Sequence, residues 1–232
     1  MHRTTSRLIV LVCAIIWTSP ALADRIAIIG TGDVAGALGP EFAAQGHDIV
    51  YGSRDPSRDA VKALLKRTGG EASATSQVEA VEGASIVVLA VPGRLAVEIA
   101  SSLGDLGGKI VIDPTNHYVR DEVPRLATET SNGEALQDAL PGARVVKAFN
   151  TLSWRQMVDP DSSGGPVTIP LVGNDEAAKA TVADLVTGMG LEPIDLGPIQ
   201  NARHVEGMLV LWMHARLNGR PFDYHLRQQG SN

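Results

Sequence analysis

The chain has 232 residues, of which 44% are hydrophobic and 20% are charged, and its formal net charge is −6. This composition is ordinary for a globular protein, and the length is sufficient for one α/β domain with a sizeable core. The basic residues form no stripe along the sequence, so binding to nucleic acid through phosphates is not expected.

The first residues have the layout of a secretory signal peptide. Arg3 and Arg7 precede the apolar run "LIVLVCAIIW", and small residues follow up to Ala23. A basic start, a short apolar core and a small-x-small end are typical of such a signal, and the run is too short to span a bilayer. We predict a signal peptide at residues 1–23, a domain at residues 24–232 and export to the periplasm. The alternatives are a misassigned start site, which would make the protein cytoplasmic, and a buried N-terminal helix.

Strands and helices alternate along the rest of the chain. Apolar, β-branched runs predict strands at 25–30, 47–52, 85–92, 109–115, 144–150, 167–173 and 191–197. Amphipathic segments predict helices at 34–46, 56–70, 94–104, 133–142, 175–190 and 199–219. Pro40 predicts a kink or an unusually short first turn in the first helix. The alternation predicts a single α/β domain of the Rossmann type, with a doubly wound, mostly parallel sheet.

The turn after the first predicted strand has the glycine pattern of a dinucleotide site. Gly30 permits the tight turn, Gly32 lets the backbone approach a pyrophosphate, and Ala35 lets helix and strand pack closely. The N-terminus of the following helix offers unpaired N–H groups and a partial positive charge to phosphates. Because the pattern follows a strand and opens a helix, it predicts nucleotide binding.

The end of the second predicted strand distinguishes NADP(H) from NAD(H). NAD-binding folds usually place an acidic residue here, whereas this chain has Ser53 followed by Arg54. Both side chains can hydrogen-bond a 2′-phosphate, which an acidic residue would repel, and Arg58 lies one turn into the next helix. We therefore predict NADP(H). The alternative is that Arg54 is a solvated surface arginine.

The other strand ends are expected to line the cofactor crevice, because ligands bind at the carboxyl edge of such sheets. These ends carry small, apolar, hydroxyl or amide groups and one carboxylate, at Ala90, Val91, Pro92, Asp113, Pro114, Thr115, Asn116, Ala148, Phe149, Asn150 and Thr151. His117 follows on the same loop; it is a candidate proton donor, and the alternative is a solvated loop histidine.

The sequence predicts neither a metal site nor an acid–base pair. His204, His214 and His225 have no ligand partner at metal-binding spacing, and Asp33 and Glu206 are single carboxylates. Hydride transfer between two bound cofactors needs orientation and a dry pocket more than it needs acid–base groups. The strand ends therefore favour hydride transfer.

Several segments resemble a known family. "IAIIGTGDVAGAL", "IVYGSRDP", "VVLAVP", "IDPTN", "ARVVKAFNTLS" and "PLVGNDEAAKATVADLVTGMGLEPIDLGPIQNAR" look like the NADP oxidoreductases that depend on the deazaflavin coenzyme F-420. The turn "GTGDVAGAL", with Asp33 and Ala35, and "VVKAFNTLS" also resemble the reductase domain of the STEAP metalloreductases, which pass hydride from NADPH to a flavin. We expect no membrane domain of the STEAP kind after the last predicted helix.

The resemblance implies roles for the matching positions. Thr31, Gly32, Asp33 and Val34 would lie along the pyrophosphate and ribose, and Ser53 with Arg54 would hold the 2′-phosphate. The groups that would frame the nicotinamide and the acceptor are Ala90, Val91, Pro92, Asn116, Ala148, Phe149 and Asn150. His117 stands where the family often has proline.

Two functions are left open by the sequence. The first is an NADPH-dependent oxidoreductase that transfers hydride between NADP(H) and coenzyme F-420, FMN or FAD. The second is a non-catalytic exported NADP-binding or structural module on the same fold. The last predicted helix is apolar over much of its circumference, which indicates core packing or a homodimer contact.

Overall fold

The structure, a computed structural model, describes residues 23–229. The strands are β1 (Arg25–Ile29), β2 (Asp48–Gly52), β3 (Ser73–Thr75), β4 (Ile86–Leu89), β5 (Ile110–Asp113), β6 (Tyr118–Val119), β7 (Arg125–Leu126), β8 (Arg144–Lys147), β9 (Thr168–Gly173) and β10 (Glu192–Asp195). The α-helices are α1 (Asp33–Ala44), α2 (Asp59–Thr68), α3 (Gln77–Ala80), α4 (Ala96–Ser102), α5 (Asn132–Ala139), α6 (Trp154–Val158), α7 (Glu176–Gly188) and α8 (Ala202–Leu217).

Eight of these strands form one sheet, in the order β10-β9-β8-β5-β4-β1-β2-β3. Neighbouring strands are parallel except for β8 and β9, which are antiparallel. The predicted Rossmann-type, mostly parallel sheet is therefore confirmed. The strand order reverses between β1 and β4, so the loops that leave these two strands turn to opposite sides and open a crevice at the carboxyl edge.

The sheet separates two hydrophobic cores. Ile26 and Ile28 of β1 face a core that includes α1 and α7, whereas Ala27 and Ile29 face a core built with α4, α5 and α8. All four residues of β4 are buried, which explains its uninterrupted apolar sequence. The sheet is thus covered on both faces, and its carboxyl edge remains for a ligand.

Short elements escaped the sequence prediction. The strand β3 and the helix α3 have three and four residues, too few to show a hydrophobic period. The segment between β5 and α5, for which no element is predicted, contains the β6–β7 hairpin, and α6 follows the end of β8 as one short helix. The predicted strand at 85–92 was too long, because β4 ends at Leu89 and the backbone turns there.

The helix α1 continues through Pro40, so the expected short first turn is wrong, whereas the alternative, a kink at Pro40, stays a prediction. Pro40 has no N–H to donate to the carbonyl of Gly36, four residues earlier. The Arg67 guanidinium of α2 donates to that carbonyl at 3.3 Å instead. A side chain from the neighbouring helix thus replaces the missing backbone donor.

The signal-peptide prediction lies outside the described residues except for Ala23, and it stays a prediction. Between residues 23 and 229, no helix is long and apolar enough to cross a membrane. The homodimer also stays a prediction. On α8, Trp212 is buried, while Leu211 is 64% exposed and Leu217 is 48% exposed.

Candidate functional site

The glycine turn joins the ends of three strands. Gly30 has φ 116° and donates its N–H to the carbonyl of Gly52 at 2.9 Å. A Cβ atom at Gly30 would lie 2.2 Å from the carbonyl oxygen of Ala90, at the end of β4. Both the backbone conformation and this close approach require glycine. The turn therefore fixes β1, β2 and β4 at one point of the sheet edge.

The N-terminus of α1 has room and charge for a phosphate. Its N-cap residue, Gly32, has extended backbone angles and makes no side-chain capping bond. Apart from Gly32 and its two chain neighbours, no atom of residues 23–229 lies within 4 Å of the position that a Gly32 Cβ would take. An adjoining cavity of about 510 Å³ is bordered by Gly32, Asp33 and Trp154. Val34 packs against the core and Ala35 is fully buried, which anchors the helix below the open space. Unpaired N–H groups and the helix dipole suit such a place to an anion.

The turn after β2 is ordered by its own hydrogen bonds. The N–H of Asp55 donates to the hydroxyl of Ser53 at 3.2 Å. The Asp55 carboxylate accepts the hydroxyl of Ser57 at 2.6 Å and its N–H at 3.1 Å, and these bonds hold the pKa of Asp55 below its ordinary value. Asp55, the acidic residue of this turn, is therefore already hydrogen-bonded to Ser57.

Two arginines flank this turn. The Arg58 guanidinium donates to the hydroxyl of Thr31 at 3.0 Å, across the glycine turn. Arg54 is exposed, and its guanidinium has no hydrogen bond or ion pair within residues 23–229. The structure therefore brings Thr31, Ser53, Arg54 and Arg58 to one corner beside the N-terminus of α1.

The loops that follow β4 and β5 are in direct contact. Ala90 and Val91 are half-buried and Pro92 is exposed at the sheet edge. A Cβ at Gly93 would lie 2.0 Å from the carbonyl oxygen of Asn116, so the two loops touch through their backbones. This contact places Asn116 beside the end of β4.

The predicted residues at the end of β8 are buried. Ala148, Phe149 and Asn150 are each at most 2% exposed, and Phe149 has φ 63°, a conformation that a bulky residue rarely adopts. The Asn116 side chain donates to the Asn150 carbonyl and accepts from the Asn150 side chain, both at 3.0 Å. We refer to Asn116 and Asn150 as the amide pair. Within the described chain, Asn150 Oδ1 and Thr151 Oγ1 lack hydrogen-bond partners.

Both predicted roles of His117, proton donor and solvated loop histidine, stay predictions. Its side chain is half-buried, and its carbonyl accepts the N–H of Ala127 at 3.0 Å across the β6–β7 hairpin. Within residues 23–229, no group of three or more His, Cys, Asp or Glu residues is arranged to hold a metal ion.

A buried cluster of charged side chains at the ends of β5 and β8 is not predicted from the sequence. Lys147 Nζ lies 2.8 Å from an Asp113 carboxylate oxygen and 2.7 Å from a Glu206 carboxylate oxygen, and all three side chains are at most 1% exposed. We refer to Asp113, Lys147 and Glu206 as the buried charge cluster. The available signal was a lysine inside the apolar strand "RVVKAFN", because a buried lysine requires an acidic partner. The prediction that Glu206 is a single carboxylate is wrong, because it shares Lys147 with Asp113.

Glu206→Gln is expected to change the pH dependence of stability. Burial, the largest cause, raises the pKa of the Glu206 carboxyl; the charge of Lys147 opposes this rise and that of Asp113 adds to it. A carboxyl with a raised folded-state pKa contributes stability that is complete below its unfolded-state pKa and is lost as the pH rises through the folded-state pKa. The wild type should therefore lose stability relative to Glu206→Gln as the pH rises above 4.5, the ordinary pKa of a glutamic acid side chain, and through the raised pKa of the folded state. Urea unfolding of both proteins measures this difference, and a difference that does not vary with pH would contradict it.

The comparisons with known proteins agree with this geometry. The model of the family described as "NADP oxidoreductase coenzyme F420-dependent" matches residues 25–117. A crystal structure from Arthrobacter sp. FB24, of a protein described as a candidate F420-dependent NADP reductase, is similar with TM-score 0.80 and 31% identity. The match covers 89% of this chain and 100% of that chain. This chain belongs to the coenzyme F-420-dependent NADP oxidoreductase family.

The curated proteins similar to this chain include a metalloreductase and an F420-dependent NADP reductase. Metalloreductase STEAP3 of Rattus norvegicus is 34% identical over 194 residues, which are 82% of this chain and 37% of that protein. The F420-dependent NADP reductase of Methanothermobacter marburgensis is 26% identical over 214 residues, which are 84% of this chain and 94% of that protein. The chain thus spans little more than a third of the length of STEAP3. The family consists of NADP oxidoreductases, which agrees with the predicted cofactor NADP(H).

Proposed function

We propose that the chain transfers a hydride between NADP(H) and a flavin or deazaflavin, namely coenzyme F-420, FMN or FAD. The observation that carries this proposal is the corner formed by the uncapped N-terminus of α1 and the Arg58–Thr31 contact, with Arg54 exposed beside it. This corner offers positive charge to two phosphate groups, and the one carboxylate in the turn after β2 is already hydrogen-bonded to Ser57.

The residues at this corner fit NADP(H). Thr31, Gly32, Asp33 and Val34 would hold the pyrophosphate and ribose through backbone N–H groups. The 2′-phosphate would be held by Ser53, Arg54 and Arg58, since the Ser53 hydroxyl keeps its own hydrogen to donate. When bound, NADPH supplies a hydride and becomes NADP⁺, while the acceptor takes the hydride together with one proton from water.

The acceptor end is proposed at the ends of β4, β5 and β8. Ala90, Val91 and Pro92 would offer a small, apolar surface to the nicotinamide, and Ala148 lies on the neighbouring strand end. The amide pair, Phe149 and His117 would border the acceptor. The unused hydrogen-bonding capacity of Asn150 Oδ1 and Thr151 Oγ1 supports a polar ligand at this end. The similarity to the F420-dependent NADP reductase of Methanothermobacter marburgensis supports a deazaflavin as the acceptor.

A fluorescence titration followed by turnover tests this proposal. The wild type should bind NADPH more tightly than NADH and should oxidise NADPH anaerobically when coenzyme F-420, FMN or FAD is added. One molecule of NADPH should be oxidised for each molecule of acceptor reduced, because each acceptor molecule takes one hydride. Binding without oxidation of NADPH by any of the three acceptors would favour a binding module, and failure to bind NADPH would contradict both functions.

A further inference from the structure

The buried charge cluster lies where two strands of the candidate site end. Asp113 is the last residue of β5 and Lys147 is the last residue of β8, and the two are paired in the strand register. Glu206 reaches them from α8 and also accepts the N–H of Gly133 at 3.3 Å. Burying three charged side chains is costly, and uncharged residues of similar volume often stabilise a fold as well or better. Stability alone therefore does not account for this cluster.

The cluster holds the backbone that carries Asn116. The Asp113 carboxylate accepts the N–H of Thr115 at 2.8 Å and its hydroxyl at 2.6 Å. Lys147 donates to the carbonyl of Thr115, the residue directly before Asn116. Asn132 donates to the hydroxyl of Thr115 at 2.7 Å, which fixes the same backbone from α5. The N–H, the carbonyl and the hydroxyl of Thr115 are thus all held by buried groups.

The helix α8 contacts the same site through two consecutive residues. The Val205 carbonyl accepts the Asn150 side chain at 3.2 Å, and Glu206 accepts Lys147. One member of the amide pair is therefore fixed directly by α8, and the other is fixed through the cluster and Thr115. A shift of α8 at Glu206 would move both.

We propose that the buried charge cluster positions the amide pair at the acceptor end of the site, with Glu206 as the positioning residue that α8 contributes. The proposal rests on the proposed function, because the acceptor is assigned to this end by that function. Glu206 and Lys147 act through the backbone of Thr115 and touch neither cofactor nor acceptor. Their removal should therefore slow hydride transfer and leave the corner that holds NADPH unchanged.

Two variants and one control separate positioning from a structural role. Lys147→Met removes the shared ammonium, and Glu206→Gln keeps the size of the side chain and an oxygen for Gly133. Lys179→Met is the matched control, because Lys179 is also buried and pairs with Asp195 at 2.7 Å, between α7 and β10. Misplacement of reacting groups by about 1 Å can cost roughly 100-fold in rate. We expect single-turnover hydride transfer to fall at least about tenfold in both cluster variants, with the NADPH dissociation constant within about twofold of the wild type.

These kinetics decide between the two roles. Wild-type transfer rates in folded Glu206→Gln would overturn the proposal, and so would an equal loss of rate in Lys179→Met. If Lys147→Met does not fold, Glu206→Gln decides alone.

A second measurement does not depend on turnover. Hydrogen exchange of the Asn116 and Asn150 side-chain amides, followed by NMR in the cofactor-free protein, should accelerate at least about tenfold in the cluster variants and stay unchanged in Lys179→Met. Unchanged exchange in the cluster variants would overturn the positioning. If the wild type fails to oxidise NADPH with any of the three acceptors, the proposed function fails. The exchange rates still decide whether the cluster positions the amide pair.

Discussion

Gly32→Val should lower the affinity for NADPH at least about 100-fold and leave the fold intact, because hydrogen bonds to a charged phosphate are each worth about 1.5–3 kcal/mol. Gly32 has φ −89°, which valine adopts without strain, and in the described part of the chain only its direct chain neighbours lie within 4 Å of the Cβ position. The added methyl groups would therefore occupy the open space at the N-terminus of α1, where the pyrophosphate is proposed to lie. A fluorescence titration with NADPH measures the loss, and circular dichroism measures the fold.

Gly165→Val is the matched control for this substitution. Gly165 lies in an exposed segment before β9, and its Cβ position is also open. The control protein should bind NADPH as the wild type does. If Gly32→Val also binds NADPH normally, the pyrophosphate does not lie over this turn and the assignment of the glycine pattern is wrong.

Arg54→Ala is expected to weaken NADPH binding by about 10- to 100-fold, the equivalent of one charge-assisted contact of about 1.5–3 kcal/mol. NADH lacks the 2′-phosphate, so its affinity should change by less than about twofold. The Arg54 guanidinium has no partner among residues 23–229, so its removal breaks no hydrogen bond or ion pair within them. Titration of each variant with both cofactors gives the two ratios.

Arg216→Ala provides the control for a general change of surface charge. Arg216 is exposed on α8, with its guanidinium 5.2 Å from the centre of the Trp212 ring. Its loss should affect neither cofactor. Equal losses of NADPH and NADH affinity in Arg54→Ala would place Arg54 away from the 2′-phosphate and would leave Arg58 as the residue to examine for that role.

The fold was predictable because its strands carry their own signal. Runs such as "RIAIIG" and "SIVVLAVP" are apolar on both faces, and parallel strands covered on both faces require this pattern. The glycine turn was predictable for a similar reason, since the φ of Gly30 and its approach to Ala90 exclude side chains. Such local requirements are visible in a single sequence.

The buried charge cluster was not predictable in this way. Asp113 and Lys147 are 34 residues apart and become neighbours because β5 and β8 are adjacent in the sheet. Glu206 joins them from α8, and no local pattern connects it with either residue. The Arg58–Thr31 contact likewise depends on how α2 packs beside the glycine turn. Contacts between distant segments require the tertiary structure.

Anaerobic mixing of the wild type with NADPH and each of coenzyme F-420, FMN and FAD tests the central claim most directly. NADPH deuterated at either position of the nicotinamide C4 carbon shows which hydrogen is transferred. We expect NADPH to be oxidised by at least one acceptor, with a primary isotope effect for deuterium at one position only. An absence of NADPH oxidation with all three acceptors, or oxidation without an isotope effect at either position in a single turnover, would contradict hydride transfer by this chain.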